Sequence, residues 1–281
     1  MTADVFLAVL AAAFMHAGWN AVIKIRLDRF LSISLMSFGM GAISLVCLPF
    51  VALPTGWTWM WIGLSVALHM GYKLFLVSAY KTGDLGQVYP LARGTAPLLT
   101  ALGSAVVIGE VVSLATGAAI AVLCLGIVLM SMRGASTSAK LDRATVLFAL
   151  ATSAFIAAYT LVDGVGGRGA PSASSYTVWL FVLDGSSMGL LCLLVRGRPA
   201  VDAMLPAWRS GLVTGALSLG AYWIIIWAMT LAPIAAVAAL RESSILFAVV
   251  LSSLMLKEKL TAWRIAAAVL ILVGVAGLRI A

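Results

Sequence analysis

Charged side chains are scarce in this sequence. Only 10% of the 281 residues are Asp, Glu, Lys or Arg, whereas 63% are hydrophobic, and the mean hydropathy is +1.12. A soluble domain of this length needs a polar surface that this composition does not supply, so a soluble globular protein is excluded. A helix needs roughly 20 apolar residues to cross about 30 Å of hydrocarbon, and nearly the whole chain divides into such segments.

Signatures of metal, redox and nucleotide chemistry are also lacking. Cys47, Cys124 and Cys192 lie singly in apolar runs without CxxC or metal-ligand spacing, and there are two histidines. The sequence contains no HExxH motif, no clustered acid motif and no GxxxxGK[ST] loop. We therefore expect no disulfide, no metal, no cofactor and no ATP-driven reaction.

The basic residues give a net charge of +8, but they lie in short connections between apolar runs. This distribution predicts topology rather than nucleic-acid binding. The odd-numbered connections hold nearly all the basic residues outside the spans, and the opposite side holds only Arg168 and Arg279. We expect the chain to lie in a bacterial inner (plasma) membrane. The positive-inside rule then places both of its termini outside the cytoplasm. The first span lacks a basic n-region and is expected to be retained.

Ten spans are the most economical division, which predicts an all-α polytopic membrane protein. Glycine, proline and charged residues mark the joints, and the most linker-like segment, RGASTSAKLDR at 133–143, falls near the middle of the chain. The spans cover about residues 4–24, 31–53, 57–80, 84–108, 113–132, 144–164, 175–195, 209–231, 233–256 and 261–280.

The second half of the chain repeats the first at a fixed offset. Four pairs of identical residues stand 148 positions apart: Arg93 and Arg241, Glu110 and Glu258, Gly63 and Gly211, and Gly126 and Gly274. Because each half holds five spans, an odd number, the second half must insert with the opposite orientation. The sequence thus predicts two inverted five-helix repeats, residues 1–135 and 144–281, joined by a connecting segment at 136–143.

The fourth span contains YPLARGTAP at 89–97, with two prolines and an arginine in an apolar segment. Proline removes a backbone donor, so Pro90 and Pro97 predict a broken helix at a gate. A guanidinium at the centre of a span costs about 2.5 to 3.5 kcal/mol, so Arg93 should face the protein interior or water. It is either a structural counter-ion or a cation for an anionic substrate group such as a carboxylate. Its recurrence as Arg241 favours the second role.

Buried acids offer several pairings that the sequence leaves open. Glu242 follows Arg241 directly, and neighbours in a helix point about 100° apart, so we do not expect these two to pair well. Lys73 is a candidate partner for Glu242, and Asp163 or Asp184 for one of the arginines. Asp184 is either a proton-coupling acid or a partner for Lys73, Arg93 or Arg241, and Glu242 is a second candidate for proton coupling.

Aromatic and polar residues recur on single helix faces. His69, Tyr72, Lys73 and Tyr80 share one face of the third span. They predict a lined cavity, although any one of them is equally explained as a contact between helices. The predicted substrate-binding residues are Trp19, Asn20, His69, Tyr72, Lys73, Tyr80, Tyr89, Arg93, Tyr159, Trp223, Trp227 and Arg241.

The opening HAGWNAVIK, the YPLARGTAP span, and the pairs Gly109-Glu110 and Lys257-Glu258 before the last span of each half resemble the drug/metabolite transporter superfamily, specifically its EamA branch. The resemblance covers essentially the whole chain. It implies a ten-helix fold around a midplane cavity that opens alternately to the two sides. Within the branch the sequence is similar to exporters of aromatic and other bulky neutral amino acids, in which Trp and Tyr would shape the cavity and arginine would hold a carboxylate.

The resemblance implies a secondary transporter and not an enzyme, working as a monomer or weak homodimer in the lipid bilayer, with a small-molecule substrate and no nucleic acid. One alternative is an exporter of nucleosides, sugars or cationic compounds with the same fold. Another is a membrane-embedded enzyme acting on a lipid-linked substrate, which would also need buried Arg, His, Glu and Asp. The inverted repeat and the lack of a hydrolytic motif favour a carrier. Its transport would be facilitated diffusion or coupled to an ion gradient.

Overall fold

A computed structural model describes residues 1–22, 27–82, 85–132, 143–256 and 261–281. Within these ranges, the side chains of 21–22, 80–82, 85–91, 131–132, 252 and 254–256 are not described. The described residues form twelve α-helices: α1 (Ala3–Val22), α2 (Arg29–Cys47), α3 (Thr58–Thr82), α4 (Leu85–Gly103), α5 (Leu114–Met132), α6 (Arg143–Gly169), α7 (Ala173–Arg196), α8 (Arg198–Met204), α9 (Trp208–Leu231), α10 (Ile234–Arg241), α11 (Ser244–Leu256) and α12 (Ala262–Ile280).

The predicted ten-span architecture is confirmed. Eight helical segments in the described part of the chain are long and apolar enough to cross a membrane, and two shorter apolar helices, Ala92–Ile108 and Leu114–Met130, supply the fourth and fifth spans. The short α8 precedes the eighth span, α9. The ninth span consists of α10 and α11, which meet at a turn formed by Glu242 and Ser243.

The helices of the two halves pack against each other symmetrically: each main contact between them has an equivalent in which the corresponding spans of the two halves are exchanged. The second and seventh spans, α2 and α7, pack on each other, as do the fifth and tenth spans, α5 and α12. Likewise, α1 packs on α9 while α6 packs on α3, and α4 packs on α6 while α1 packs on α10 and α11. The bundle is therefore built mainly from contacts between the repeats rather than within either one.

The repeated glycines mark one of these crossings. A Cβ atom on Gly126 would lie 2.7 Å from Cγ1 of Ile271, and one on Gly274 would lie 2.6 Å from Cβ of Leu123. Leu123 and Ile271 are themselves 148 positions apart, so the two contacts are equivalent. Only glycine allows α5 and α12 to approach this closely, which accounts for its presence in both halves.

The predicted break in the fourth span is wrong, because α4 continues through Pro90 and Pro97 to Gly103 and ends in a π-helical turn, Ser104–Ile108. A neighbouring helix supplies polar contacts beside the prolines: Ser153 Oγ on α6 donates to the Ala92 carbonyl at 2.8 Å. The interruption lies instead in the ninth span, beside Arg241.

Candidate functional site

A cavity of about 390 Å³ lies between the two halves of the bundle, lined by residues of α1, α2, α3, α4, α6, α7, α9 and α10. Its lining extends to Leu27 and Arg29, at the end of the bundle where α1 connects to α2. We call this the first end, and the end where α2 connects to α3 the second end. The cavity lining includes nine of the predicted residues: Trp19, Asn20, His69, Tyr72, Lys73, Arg93, Tyr159, Asp184 and Arg241.

Two arginines share one glutamate beside the cavity. Arg93 Nε lies 2.9 Å from Glu242 Oε2, and Arg241 Nη2 lies 3.5 Å from Glu242 Oε1. The expectation that Arg241 and Glu242 would not pair is wrong, because the helix ends at Arg241 and the turn at Glu242 brings the two side chains together. Arg93 Nη2 also lies 3.3 Å from His16 Nε2 on α1. All three charged groups are buried.

Lys73 pairs with Asp184 and not with Glu242. Lys73 Nζ lies 2.6 Å from Asp184 Oδ2 and 2.8 Å from Oδ1, and it donates to Ser37 Oγ at 2.9 Å. These contacts join α3, α7 and α2 within the cavity wall. Of the three partners predicted for Asp184, Lys73 is therefore confirmed, and neither Arg93 nor Arg241 forms an ion pair with it among the described residues.

Asp163 is surrounded by hydroxyl groups from three other helices. Its Oδ1 accepts from Ser65 Oγ at 2.5 Å and from Tyr176 OH at 2.9 Å, and its Oδ2 accepts from Tyr222 OH. Asp163 is 1% exposed. Within the described ranges, none of the recorded ion pairs includes it, so its predicted pairing with an arginine is not observed.

An aromatic wall stands beside these charges. The His69 ring stacks on Tyr159, with centroids 4.2 Å apart and planes inclined by 21°. Tyr72 and Tyr222 pack against Tyr159 with centroids 5.7 and 6.3 Å away, and Phe181 meets Tyr222 edge to face at 5.1 Å. All five rings line the cavity. A bulky apolar group can therefore lie within reach of buried cations.

Comparison with known proteins identifies the family. A profile of the EamA-like transporter family matches residues 5–132 and, a second time, residues 143–280. The chain belongs to this family. It is therefore a multi-pass membrane protein of the drug/metabolite transporter type, as the sequence motifs indicated. A search of curated proteins finds no match to this EamA-like protein.

Solved structures share the fold of this EamA-like protein. One chain, described only as "Crystal structure of protein", superposes with a TM-score of 0.77 at 18% sequence identity. The match covers 99% of this chain and 96% of that chain. At this identity the similarity concerns the fold alone.

The second end of this EamA-like protein is closed. An apolar cluster fills the bundle there with Val5, Met229, Ile234 and Leu278 from α1, α9, α10 and α12. The cluster reaches Ile225 of α9, which also lines the cavity. Polar contacts cross the same end, since Ser175 Oγ donates to the Ala52 carbonyl at 2.6 Å. The described lining of the cavity, by contrast, reaches Leu27 and Arg29 at the first end.

Trp223, Trp227 and Pro97 were also predicted as site residues, and none of them belongs to the cavity lining formed by the described residues. Trp223 donates through Nε1 to Ser174 Oγ at 3.0 Å, and Trp227 is 36% exposed on the surface of α9. The side chains of Tyr80, Tyr89 and Pro90 lie outside the described part of the chain, and Pro97 is buried in α4.

Sequence reasoning missed Ser37 and Ser65 as polar groups of the site. Ser65 lies one helical turn before His69 and on the same face, which is a signal that could have identified it. Ser37 gave no comparable signal, because a single serine in an apolar span most often bonds to its own helix backbone. Its contact with Lys73 depends on how α2 packs against α3.

Proposed function

We propose that this EamA-like protein exports bulky neutral amino acids, aromatic ones included, across a bacterial inner (plasma) membrane. The observation that carries the proposal is the sharing of Glu242 by Arg93 and Arg241. The carboxylate of Glu242 is thus divided between two guanidinium groups in the cavity wall. A second carboxylate, from a substrate, matches a guanidinium in geometry and charge.

Arg241 is the better placed of the two arginines to hold that carboxylate. Both arginines line the cavity, but the ion pair of Arg241 with Glu242 is the longer one, at 3.5 Å against 2.9 Å for Arg93. Its Nε has no hydrogen-bond partner among the described residues. A bound carboxylate would supply the acceptor that this donor lacks.

The aromatic wall supports the choice of a bulky side chain. Rings of Tyr72, Tyr159, Phe181 and Tyr222 line the cavity together with Trp19. Aromatic rings pack well against other rings at offset or edge-to-face angles. The cavity volume of about 390 Å³ falls within the range of about 300–1,000 Å³ that is typical of small-molecule sites.

The transport cycle follows from the two ends of the bundle. The positive-inside rule would put the first end in the cytoplasm and both termini outside. The present conformation would then face the cytoplasm, where an exporter loads its substrate. Rocking of the inverted repeats around the cavity would close the first end and open the second. The cavity lies within one chain, so we propose a monomer or a weak homodimer as the working unit.

Counterflow in proteoliposomes tests the proposal. We expect labelled phenylalanine, tryptophan and leucine to exchange, and we expect Arg241→Gln to raise the KM by about 10- to 100-fold, as loss of a charge-assisted hydrogen bond of about 1.5–3 kcal/mol requires. The control is Arg209→Gln, because Arg209 stands against the exposed ring of Trp208, away from the cavity lining. Exchange of nucleosides, sugars or cationic compounds instead of amino acids would refute the substrate assignment, and turnover of a lipid-linked substrate would refute transport as the activity.

A further inference from the structure

Asp163 differs from the other buried acids in how its charge is compensated. Asp184 is paired with Lys73, and Glu242 is paired with two arginines. Asp163 has hydroxyl donors from Ser65 and two tyrosines, but no recorded ion pair in the part of the chain that the structure describes. A fully buried carboxylate with neutral partners can be neutralised by a proton, whereas the paired acids already have a compensating cation.

Three of the helices packed on α6 place a titratable group toward this carboxylate. From α3 comes His69, which reaches it through Ser65, and from α7 and α9 come Tyr176 and Tyr222. Tyr159 lies one helical turn before Asp163 on α6 itself. The remaining neighbours, α4 and α10, carry Arg93 and Arg241, whose charges are directed to Glu242.

A chain of two hydrogen bonds joins Asp163 to the cavity. His69 Nδ1 lies 3.1 Å from Ser65 Oγ, and Ser65 Oγ donates to Asp163 Oδ1 at 2.5 Å. His69 Nδ1 is also 3.0 Å from the Ser65 carbonyl oxygen, which can only accept, so Nδ1 carries the hydrogen and Nε2 of the neutral ring does not. His69 is part of the cavity lining, whereas Asp163 lies behind it.

We infer that Asp163 is the proton-binding site of this transporter and that His69 and Ser65 relay the proton to it from the cavity. The inference rests on the proposed export function, because it explains how export would be driven. In the relay, His69 Nε2 takes a proton from a hydronium ion in the cavity, which leaves as water, and Nδ1 passes its own proton to Ser65 Oγ. Ser65 passes its hydroxyl proton to Asp163 Oδ1. The products are a neutral carboxylic acid, an intact serine and a neutral histidine with its proton on the other nitrogen.

Tyr222 connects proton binding to the substrate, because it lines the cavity and also donates to Asp163. While Asp163 is ionised, Tyr222 directs its proton to the carboxylate and presents oxygen lone pairs to the cavity, and the negative charge attracts a substrate ammonium group. Protonation of Asp163 at Oδ1 removes that charge, while Tyr222 still donates to Oδ2. The proton and the ammonium group therefore exclude one another, which makes the exchange an antiport.

The first experiment uses proteoliposomes with a pH-sensitive dye trapped inside. In the wild type we expect phenylalanine to cause proton movement and an imposed pH gradient to drive its accumulation. Asp163→Asn should abolish both effects and make phenylalanine counterflow insensitive to pH. Proton movement that persists in Asp163→Asn would overturn the inference. Phenylalanine transport without proton movement in the wild type would also overturn it, while leaving the proposed export function intact.

A second variant keeps the carboxylate and interrupts the relay. Ser65→Ala should slow gradient-driven accumulation, because the bond that carries the proton from His69 is lost. The matched control is Ser34→Ala, since Ser34 is equally buried but donates to the Phe30 carbonyl of its own helix at 2.8 Å, outside the cavity lining. Equal rates of accumulation in the two serine variants would contradict a relay through Ser65.

Infrared spectroscopy tests the proton site without any substrate. Lowering the pH of wild-type protein in lipid should produce a carboxylic C=O stretching band that shifts in deuterium oxide and is missing in Asp163→Asn. A band that persists unchanged in Asp163→Asn would assign the proton elsewhere. This result does not depend on the transported molecule, so it separates a failure of the proton site from a failure of the amino-acid proposal.

Discussion

Glu110 and Arg168 form an ion pair of 2.6 Å at the second end of the bundle, where the cavity is closed. Arg168 also donates to the carbonyls of Met229 and Ala232 at 2.7 and 3.0 Å, and Glu110 accepts from the backbone N–H of Ile234 at 3.0 Å. The pair therefore joins the connection after α4, the end of α6 and the junction of α9 with α10. All of these must separate if the second end is to open.

Removal of this ion pair should favour opening of the second end. Glu110→Gln keeps an acceptor for Ile234 N–H but loses the charge that attracts Arg168. With Ile225→Cys as reporter in a protein without Cys47, Cys124 and Cys192, labelling by an impermeant maleimide from the second end should rise about two- to fivefold, as expected for a partly exposed pair contributing about 0.5–1 kcal/mol.

The matched control for this labelling lies at the first end. Asp28 Oδ2 and Arg196 Nη2 form a more exposed pair of 3.6 Å, and Asp28 also caps α2 by accepting from Leu31 N–H. Asp28→Asn preserves the cap and removes the charge, and it should leave labelling from the second end unchanged. If both substitutions raised labelling equally, the Glu110–Arg168 contact would have no specific part in closure.

Substitution of only one partner of the Lys73–Asp184 ion pair should destabilise the protein more than substitution of both. Asp184→Asn would leave the buried ammonium of Lys73 with Ser37 but without its carboxylate, at a cost of up to about 3–5 kcal/mol. Lys73→Met combined with Asp184→Leu removes both charges and should cost less. Thermal unfolding in detergent checks the order of the melting temperatures. Equal losses in the single and double variants would show that the two charges are not coupled.

The close contact between α5 and α12 should not tolerate even one methyl group. Gly274→Ala would place a Cβ 2.7 Å from the backbone nitrogen of Leu123, which cannot rotate away, so we expect a destabilisation of about 1–3 kcal/mol. Gly63→Ala is the control on another helix, because nothing lies within 4 Å of the added Cβ. Its melting temperature should stay the same or rise slightly. A similar loss in both variants would indicate a general effect of helix glycines.

Removal of the shared glutamate, Glu242, should make the thermal stability of the protein depend more strongly on a bound substrate carboxylate. Glu242→Gln leaves Arg93 and Arg241 without their common counter-ion, so the melting temperature should fall. Added phenylalanine should raise it more in Glu242→Gln than in the wild type, because a ligand that binds only the folded state stabilises it. Phenylethylamine lacks the carboxylate and should give no such gain. An equal gain from both compounds would argue against a carboxylate site at these arginines.

For the buried residues of the site, the sequence predicts which side chains share a helix face but not which side chains of different helices pair. His69, Tyr72 and Lys73 were assigned to one helix face from their spacing, and all three line the cavity. The partner of Lys73 was not determined by spacing, because Asp184 is 111 positions away and the pairing depends on how α3 and α7 are placed. The prolines of α4 predicted a break that is not observed, since the helix continues through both of them to Gly103.

The sequence by itself determined the membrane class, the ten spans and the repeat of 148 positions. Hydropathy depends on neighbouring residues, and the repeat appears when the two halves of the chain are compared, so neither requires knowledge of which helices are in contact. Only the tertiary structure decided that Glu242 turns toward both arginines, that Asp163 gathers three hydroxyl groups and that one end is closed. These features depend on distances between side chains of different helices, and for a buried charge a few ångströms decide between partners.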